Sequence, residues 1–191
     1  MRTGNLYIIS GPSGAGKGTL VQELLGRVPD IWVSVSATTR SPRPGEVEGV
    51  HYFFKSAQEF DDLIAEDGLL EWALVHGNRY GTPVEAVRDK IAEGAQVMLE
   101  IDPQGAMQVL QRIPESRLIF IKPPSFEELR RRLEGRGSET QEQIELRLRT
   151  GETEMKFEGK YDIVVNNDDV YRATDEIVAF IDACANEKKE A

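Results

Sequence analysis

Short apolar runs alternate along the chain with longer amphipathic stretches, and the two periods separate strands from helices. Leu6-Tyr7-Ile8-Ile9-Ser10 is apolar almost throughout, ends at Gly11-Pro12, and reads as a strand buried on both faces. Ile31 to Val35, Val97 to Ile101, Leu118 to Ile121 and Asp162 to Val165 have the same character. Helical patterns lie between them. Thr19-Leu20-Val21-Gln22-Glu23-Leu24-Leu25 has helical apolar spacing directly after a glycine-rich turn. Ser56 with Glu59 makes a capping box before Phe60, Leu63 and Ile64. Thr82-Pro83-Val84-Glu85 offers an N-cap, a proline in the first turn and a capping-box glutamate, and Gly94 is placed to end that helix. Ala173, Ile177, Phe180, Ile181 and Cys184 share one face of a last helix. Strands separated by helices predict an α/β fold with a parallel sheet flanked by helices.

Two stretches break this alternation. Residues 36 to 80 hold the short runs His51-Tyr52-Phe53-Phe54 and Leu69 to Val75, which predict a small mixed sheet inserted in the main fold. Residues 130 to 155 are highly charged and predict a helical projection into solvent. The expected organisation is one domain over 1–191, with a core of 1–35, 81–129 and 156–191. The charged tail Asn186 to Ala191 is expected to fray.

A chain of 191 residues with 40% apolar and 29% charged residues is long enough for one full-sized core. Lys and Arg total 23 against 33 Asp and Glu, a net charge of −10, which argues against nucleic acid or an anionic membrane as partner. Cys184 is the one cysteine, so no internal disulfide forms, and its helical face predicts a buried apolar role. Leu6 to Ile9 is too short for a signal sequence or a transmembrane helix, and the expected location is cytoplasmic.

The sharpest chemical signal is Gly11-Pro12-Ser13-Gly14-Ala15-Gly16-Lys17-Gly18-Thr19, between a strand and a helix. It fits G-x-x-x-x-G-K, the P-loop pattern. Glycines let backbone N–H groups turn inward around phosphate oxygens, and the following helix adds its positive end. Lys17 can reach a transferred phosphate. The position after the lysine, where a magnesium-binding hydroxyl is usual, is Gly18, and the hydroxyl follows at Thr19. Magnesium is therefore expected to be held mainly through phosphates and waters, with no direct protein ligand assigned. This variant loop resembles nucleoside monophosphate kinases more than GTPases or motor ATPases.

Downstream, Arg40 and Arg43 can clamp a phosphate with forked hydrogen bonds, while Tyr52 and Tyr80 can each donate an O–H. Solvated arginines in a Pro- and Gly-containing loop would look the same. Glu100-Ile101-Asp102 ends an apolar strand, where parallel sheets bind ligands, although Asp102 also suits an N-cap. Glu71 lies between Leu70 and Trp72, so alternation permits either face. Arg130, Arg131, Arg132, Arg136, Arg147 and Arg149 crowd one stretch, interleaved with Glu134, Glu139, Glu142 and Glu145 as ion-pair partners.

With GPSGAGKGT, SVSATTRSPRPGE, GVHYFF, LLEWALVHGNRYGT, LEIDPQGA, RRRLEGRGSET with a later RLR, and YDIVVNND in this order, the chain closely resembles the bacterial-type guanylate kinases over nearly its whole length. The resemblance implies a P-loop NTPase-like fold in which 36–80 is a GMP-binding insert and 130–155 a lid. It implies ATP-dependent phosphorylation of GMP, and of dGMP, with magnesium, by a monomer or homodimer. Arg40, Arg43, Tyr52 and Tyr80 would hold the GMP phosphate, and Ser36, Glu71 and Thr82 would read the guanine. Asp102, helped by Glu100, would contact the acceptor or order water around the metal. Arg132, Arg136 and Arg147 would close over ATP, leaving Arg130, Arg131 and Arg149 on the surface. Asn167 would lie near the adenine, although Asn166 replaces the family's usual apolar residue beside it.

The chemistry agrees with the base assignment. Guanine presents a ring N–H and an exocyclic amine side by side, which one carboxylate accepts together, and adenine lacks that pair. A kinase for another nucleoside monophosphate, and a non-catalytic phosphoprotein-binding module of the same fold, are the alternatives.

Overall fold

The structure, a computed structural model, describes residues 2–75, 77–135 and 140–187. Strand β1 (Asn5–Ser10) lies between β7 (Gln96–Glu100) and β8 (Arg117–Lys122), with β2 (Ile31–Val33) and β9 (Ile163–Asn166) at the edges. All pairings are parallel. Alternate residues of β1 enter opposite cores. Tyr7 and Ile9 pack with Leu20 and Leu24 of α1 (Lys17–Arg27) and with Ile177 and Ile181 of α7 (Val170–Asn186). Leu6 and Ile8 pack with Val87 of α3 (Val84–Ala92) and Val109 of α4 (Pro103–Arg112). Each such buried apolar side chain contributes about 1.5–3 kcal/mol, and the few buried polar groups are small or partnered, as Tyr7 is by Gln96. Cys184 is buried on the α7 face, as its periodicity predicts.

The second sheet is mixed, in the order β4 (Phe53–Phe54), β3 (Ala37–Thr38), β6 (Asn78–Pro83), β5 (Leu69–Val75). Helix α2 (Ala57–Ala65) begins at the predicted Ser56–Glu59 capping box and buries Phe60 against Ala37 and Leu69. Two further helices, α5 (Phe126–Glu134) and α6 (Gln141–Met155), close a small core of Leu129, Leu133, Ile144 and Leu148. The charged stretch therefore hides an apolar stripe of its own.

Three expectations need correction. The run Asp162 to Val165, expected as a strand buried on both faces, is the edge strand β9, which starts at Ile163 and leaves Val164 exposed. The run Ile31 to Val35 is a strand only to Val33, and it is half-buried because it lies at the sheet edge. Thr82 does not cap α3: both it and Pro83 belong to β6, Pro83 occupies the N-cap, and no side chain caps that end. Gly94 does follow the helix, with φ of 88°. Residues 188–191 of the tail lie outside the described residues.

The loops leaving the C-terminal ends of β1, β7, β8 and β9 converge on one edge of the parallel sheet, where α/β folds place ligands.

Candidate active site

The glycine loop leaves β1 and delivers Lys17 as the first residue of α1, so the positive helix end faces the loop interior. Gly16 has φ of 93°, and a Cβ there would stand 2.3 Å from Asn167 Nδ2, so only glycine fits. Lys17 Nζ donates to the carbonyls of Gly11 at 2.6 Å and Pro12 at 3.3 Å. Asn167 is buried beneath the loop, where its Nδ2 donates to Ala15 O at 2.7 Å, while Asn166 is exposed. Gly18 and Thr19 are exposed at the start of α1.

The α5–α6 unit reaches the same loop from above. Arg132 Nη2 donates to Asn167 O at 2.9 Å and Nη1 to Ala15 O at 3.3 Å, while Nε is held by Glu128 at 2.8 Å. Arg147 Nη1 donates to Ser13 Oγ at 2.8 Å. Arg130 pairs with Glu145 at 2.6 Å and Arg131 with Glu128 at 2.7 Å, away from the loop. Arg136, predicted for this group, and Glu139 lie outside the described residues. Glu154, on α6, lines the cleft beside Ser13 and Arg147; burial raises its pKa while Lys17 opposes the rise.

Across the cleft, Arg40 forks onto Glu46, with Nη2 to Oε1 at 2.8 Å and Nη1 to Oε2 at 3.0 Å. Glu46 also accepts from the Arg43 backbone at 2.7 Å, and these donors, Arg40 foremost, hold its carboxyl down to about 2. The Arg40 guanidinium stacks over Tyr52 at 5.3 Å, and the Tyr52 and Tyr80 rings meet edge-on at 6.0 Å. Arg40 and two phenols thus gather at one end of the second sheet, while Arg43 lines the neighbouring cleft with Asp102 and Arg147.

Glu71 stands at the other end. The register of β5 on β6 slips between Leu69 and Trp72, and this bulge turns Leu69, Leu70 and Glu71 all inward. Glu71 is only 6% exposed, and Thr82 Oγ1 donates to its Oε1 at 2.7 Å. Burial pushes the Glu71 carboxyl up to about 7; the Thr82 hydroxyl opposes this and the nearby Asp102 adds to it. Thr82 therefore serves the carboxylate rather than the helix.

Asp102 links the parts. Its Oδ1 caps α4 by accepting from Gln104 N at 2.8 Å and Gly105 N at 2.9 Å. It lines a cleft of about 930 Å³ with Ser13, Arg43, Arg147 and Glu154. It also lines a cavity of about 520 Å³ with Lys17, Ser36, Tyr52 and Glu100, and one of about 210 Å³ with Ser36, Tyr52, Glu71, Tyr80 and Glu100. Of the predicted residues, Ser13, Lys17, Ser36, Arg43, Tyr52, Glu71, Tyr80, Glu100, Asp102 and Arg147 line these three spaces. Arg40 and Thr82 stand behind them, held by Glu46 and Glu71, while Asn167 lies beneath the loop with Arg132 against it, and Thr19 is exposed.

Sequence reasoning assigned no role to Glu46, Glu128 or Glu154. The i to i+4 spacing of Glu128 and Arg132 was the one local signal available for them.

Residues 3–184 match the family model described as guanylate kinase. The chain is 51% identical to a guanylate kinase of Desulfitobacterium hafniense over 178 residues, covering 93% of this chain and 89% of that protein. It is 54% identical to a guanylate kinase of Parasynechococcus marenigrum over 170 residues, covering 89% and 93%. A crystal structure of guanylate kinase from Anaplasma phagocytophilum superposes with a TM-score of 0.79 at 34% identity, covering 98% of this chain and 89% of that one.

Proposed function

Since the chain belongs to the guanylate kinase family, we propose residue roles for its reaction, the ATP-dependent phosphorylation of GMP to GDP. Gly11 to Thr19 cradle the ATP phosphates, with Asn167 bracing the loop on the adenine side. Arg40, Arg43, Tyr52 and Tyr80 hold the GMP phosphate, and Ser36, Glu71 and Thr82 hold the guanine, in a GMP-binding insert over 36–80. Arg132, Arg136 and Arg147 belong to a lid over 130–155. The observation that carries the base assignment is Glu71: a carboxylate buried to 6% exposure at the end of a cavity, fixed by Thr82. A site of that kind costs folding stability and is repaid when guanine supplies its two donors.

No general base is required. A phosphate monoester has a second pKa of about 6, so the GMP phosphate is largely dianionic at neutral pH and attacks the γ-phosphate directly. Lys17 leaves the Gly11 and Pro12 carbonyls for the phosphate oxygens. Arg132 and Arg147, already on the loop, stabilise the charge in transfer, and lid closure excludes water. Magnesium fits this site, because the Glu100 carboxylate lies 3.9 Å from where a Gly18 Cβ would stand and Asp102 lines the same cavity. When bound, it would neutralise phosphate charge, with Glu100 and Asp102 ordering its waters. The cytoplasm, a monomer or homodimer, and dGMP as a second acceptor complete this reading, and the net charge of −10 supports small-molecule partners rather than nucleic acid or membrane.

Lys17→Ala tests the transfer step. ADP formation is expected to fall about 10³-fold with GMP affinity retained in calorimetric titration. Turnover within about tenfold of the parent enzyme would overturn the role of Lys17.

A further inference from the structure

We infer that Gly105, on the first turn of α4, is a specificity-determining position for the acceptor base, acting by leaving room for the Glu71 carboxylate. This rests on the reading that Glu71 binds guanine. A Cβ at Gly105 would stand 2.9 Å from Glu71 Oε2, 3.4 Å from Cδ and 3.5 Å from Cγ. The other carboxylate oxygen, Oε1, is held by Thr82 at 2.7 Å. The carboxylate is therefore set from two sides: a donor on one oxygen and the bare face of α4 on the other.

Nothing about the backbone asks for glycine here. Gly105 lies in a regular helix, its φ is not positive, and alanine would be the better helix former by about 1 kcal/mol. The absent side chain matters only because of what packs against it. Nor can the strand carrying Glu71 slide away to make room. One turn along the same face of α4, Gln108 forks onto β5: Trp72 N donates to Gln108 Oε1 at 3.3 Å, and Gln108 Nε2 donates to Trp72 O at 3.3 Å. With the strand pinned at residue 72, an added methyl at 105 is relieved at the flexible end of Glu71. The carboxylate tilts off α4, and its hydrogen bond with Thr82 turns with it.

A tilted carboxylate still meets one donor but no longer meets two side by side. Guanine offers the ring N–H and the exocyclic amine. Hypoxanthine, the base of IMP, keeps the ring N–H and lacks the amine. Loss of Gly105 should therefore penalise GMP more than IMP, which a general loss of packing would not do.

The experiment measures kcat/KM for GMP and IMP in the parent enzyme, Gly105→Ala and Glu71→Gln, with thermal melting of each. In Gly105→Ala the GMP/IMP ratio is expected to fall at least about fivefold, through KM for GMP, with kcat within about twofold and no drop in melting temperature. Glu71→Gln separates the two claims. If it leaves the ratio unchanged, the reading of Glu71 as base reader fails. If it collapses the ratio while Gly105→Ala keeps the parent value, only the role of Gly105 fails. Parallel losses for both nucleotides in Gly105→Ala, or its failure to fold, would place the cost in the packing of α4 and also overturn the inference.

Discussion

Replacing Glu71 with glutamine should make the protein more stable while impairing it as an enzyme. The carboxyl is 6% exposed, and burial raises it from 4.5 to about 7. Between those values the folded chain keeps a proton that the unfolded chain has lost, so stability falls as pH rises through this window. Once the pH exceeds both values the cost is about 3 kcal/mol, and at pH 5 the same linkage leaves about 1 kcal/mol. Glutamine keeps the acceptor for Thr82 at this position and has no charge to bury. Glu71→Gln should therefore melt about 6–12 °C above the parent at pH 8, and about 2–4 °C above it at pH 5. Differential scanning fluorimetry at the two pH values, without nucleotides, reads both numbers. In the same variant kcat/KM for GMP should fall, because an amide N–H₂ would face the guanine donors. A gain equal at both pH values, or a loss at pH 8, would refute the argument that an ionised, desolvated carboxylate is being maintained for binding.

Other perturbations follow from the same geometry. Gly16→Ala forces a left-handed backbone on alanine and drives a Cβ into Asn167; it should cost about 1–3 kcal/mol and raise KM for ATP more than KM for GMP. Leu133→Ala removes a fully buried side chain from the α5–α6 core; the expected cost of about 2–5 kcal/mol should appear as faster hydrogen exchange in those helices before it appears in β1, together with a lower kcat. Chelation of magnesium should stop turnover and leave GMP binding intact, as measured by calorimetric titration, since the proposed GMP contacts are protein side chains.

The parallel core was legible because its three central strands are buried on both faces and its helices carry regular stripes, as Leu6 to Ile9 and the face from Ala173 to Cys184 illustrate. The phosphate loop was legible because glycine spacing and the lysine are a local requirement. The end of the second sheet that carries Glu71, proposed to read the base, was legible only through family resemblance. Alternation left Glu71 free to face either way, and a bulge that no local pattern announces turned it inward. Thr82 had the grammar of a helix cap and was claimed instead by a carboxylate eleven residues away in sequence. The strand from Asn78 to Pro83 carries Gly81 and ends in proline, so its pairing with Leu69 to Val75 comes from the tertiary fold rather than from propensity. Arg40 and Glu46 are a loop pair whose fork depends on the turn between them, which composition does not specify.

The most direct test of the account is ADP formation with ATP and magnesium against GMP, dGMP, AMP, CMP, UMP and IMP in turn. A buried carboxylate that needs two adjacent donors predicts strong turnover with GMP and dGMP, weaker turnover with IMP, and AMP lower than GMP by about 10³-fold or more in kcat/KM. Comparable rates with GMP and AMP would contradict it and remove Glu71 as the reader of the base.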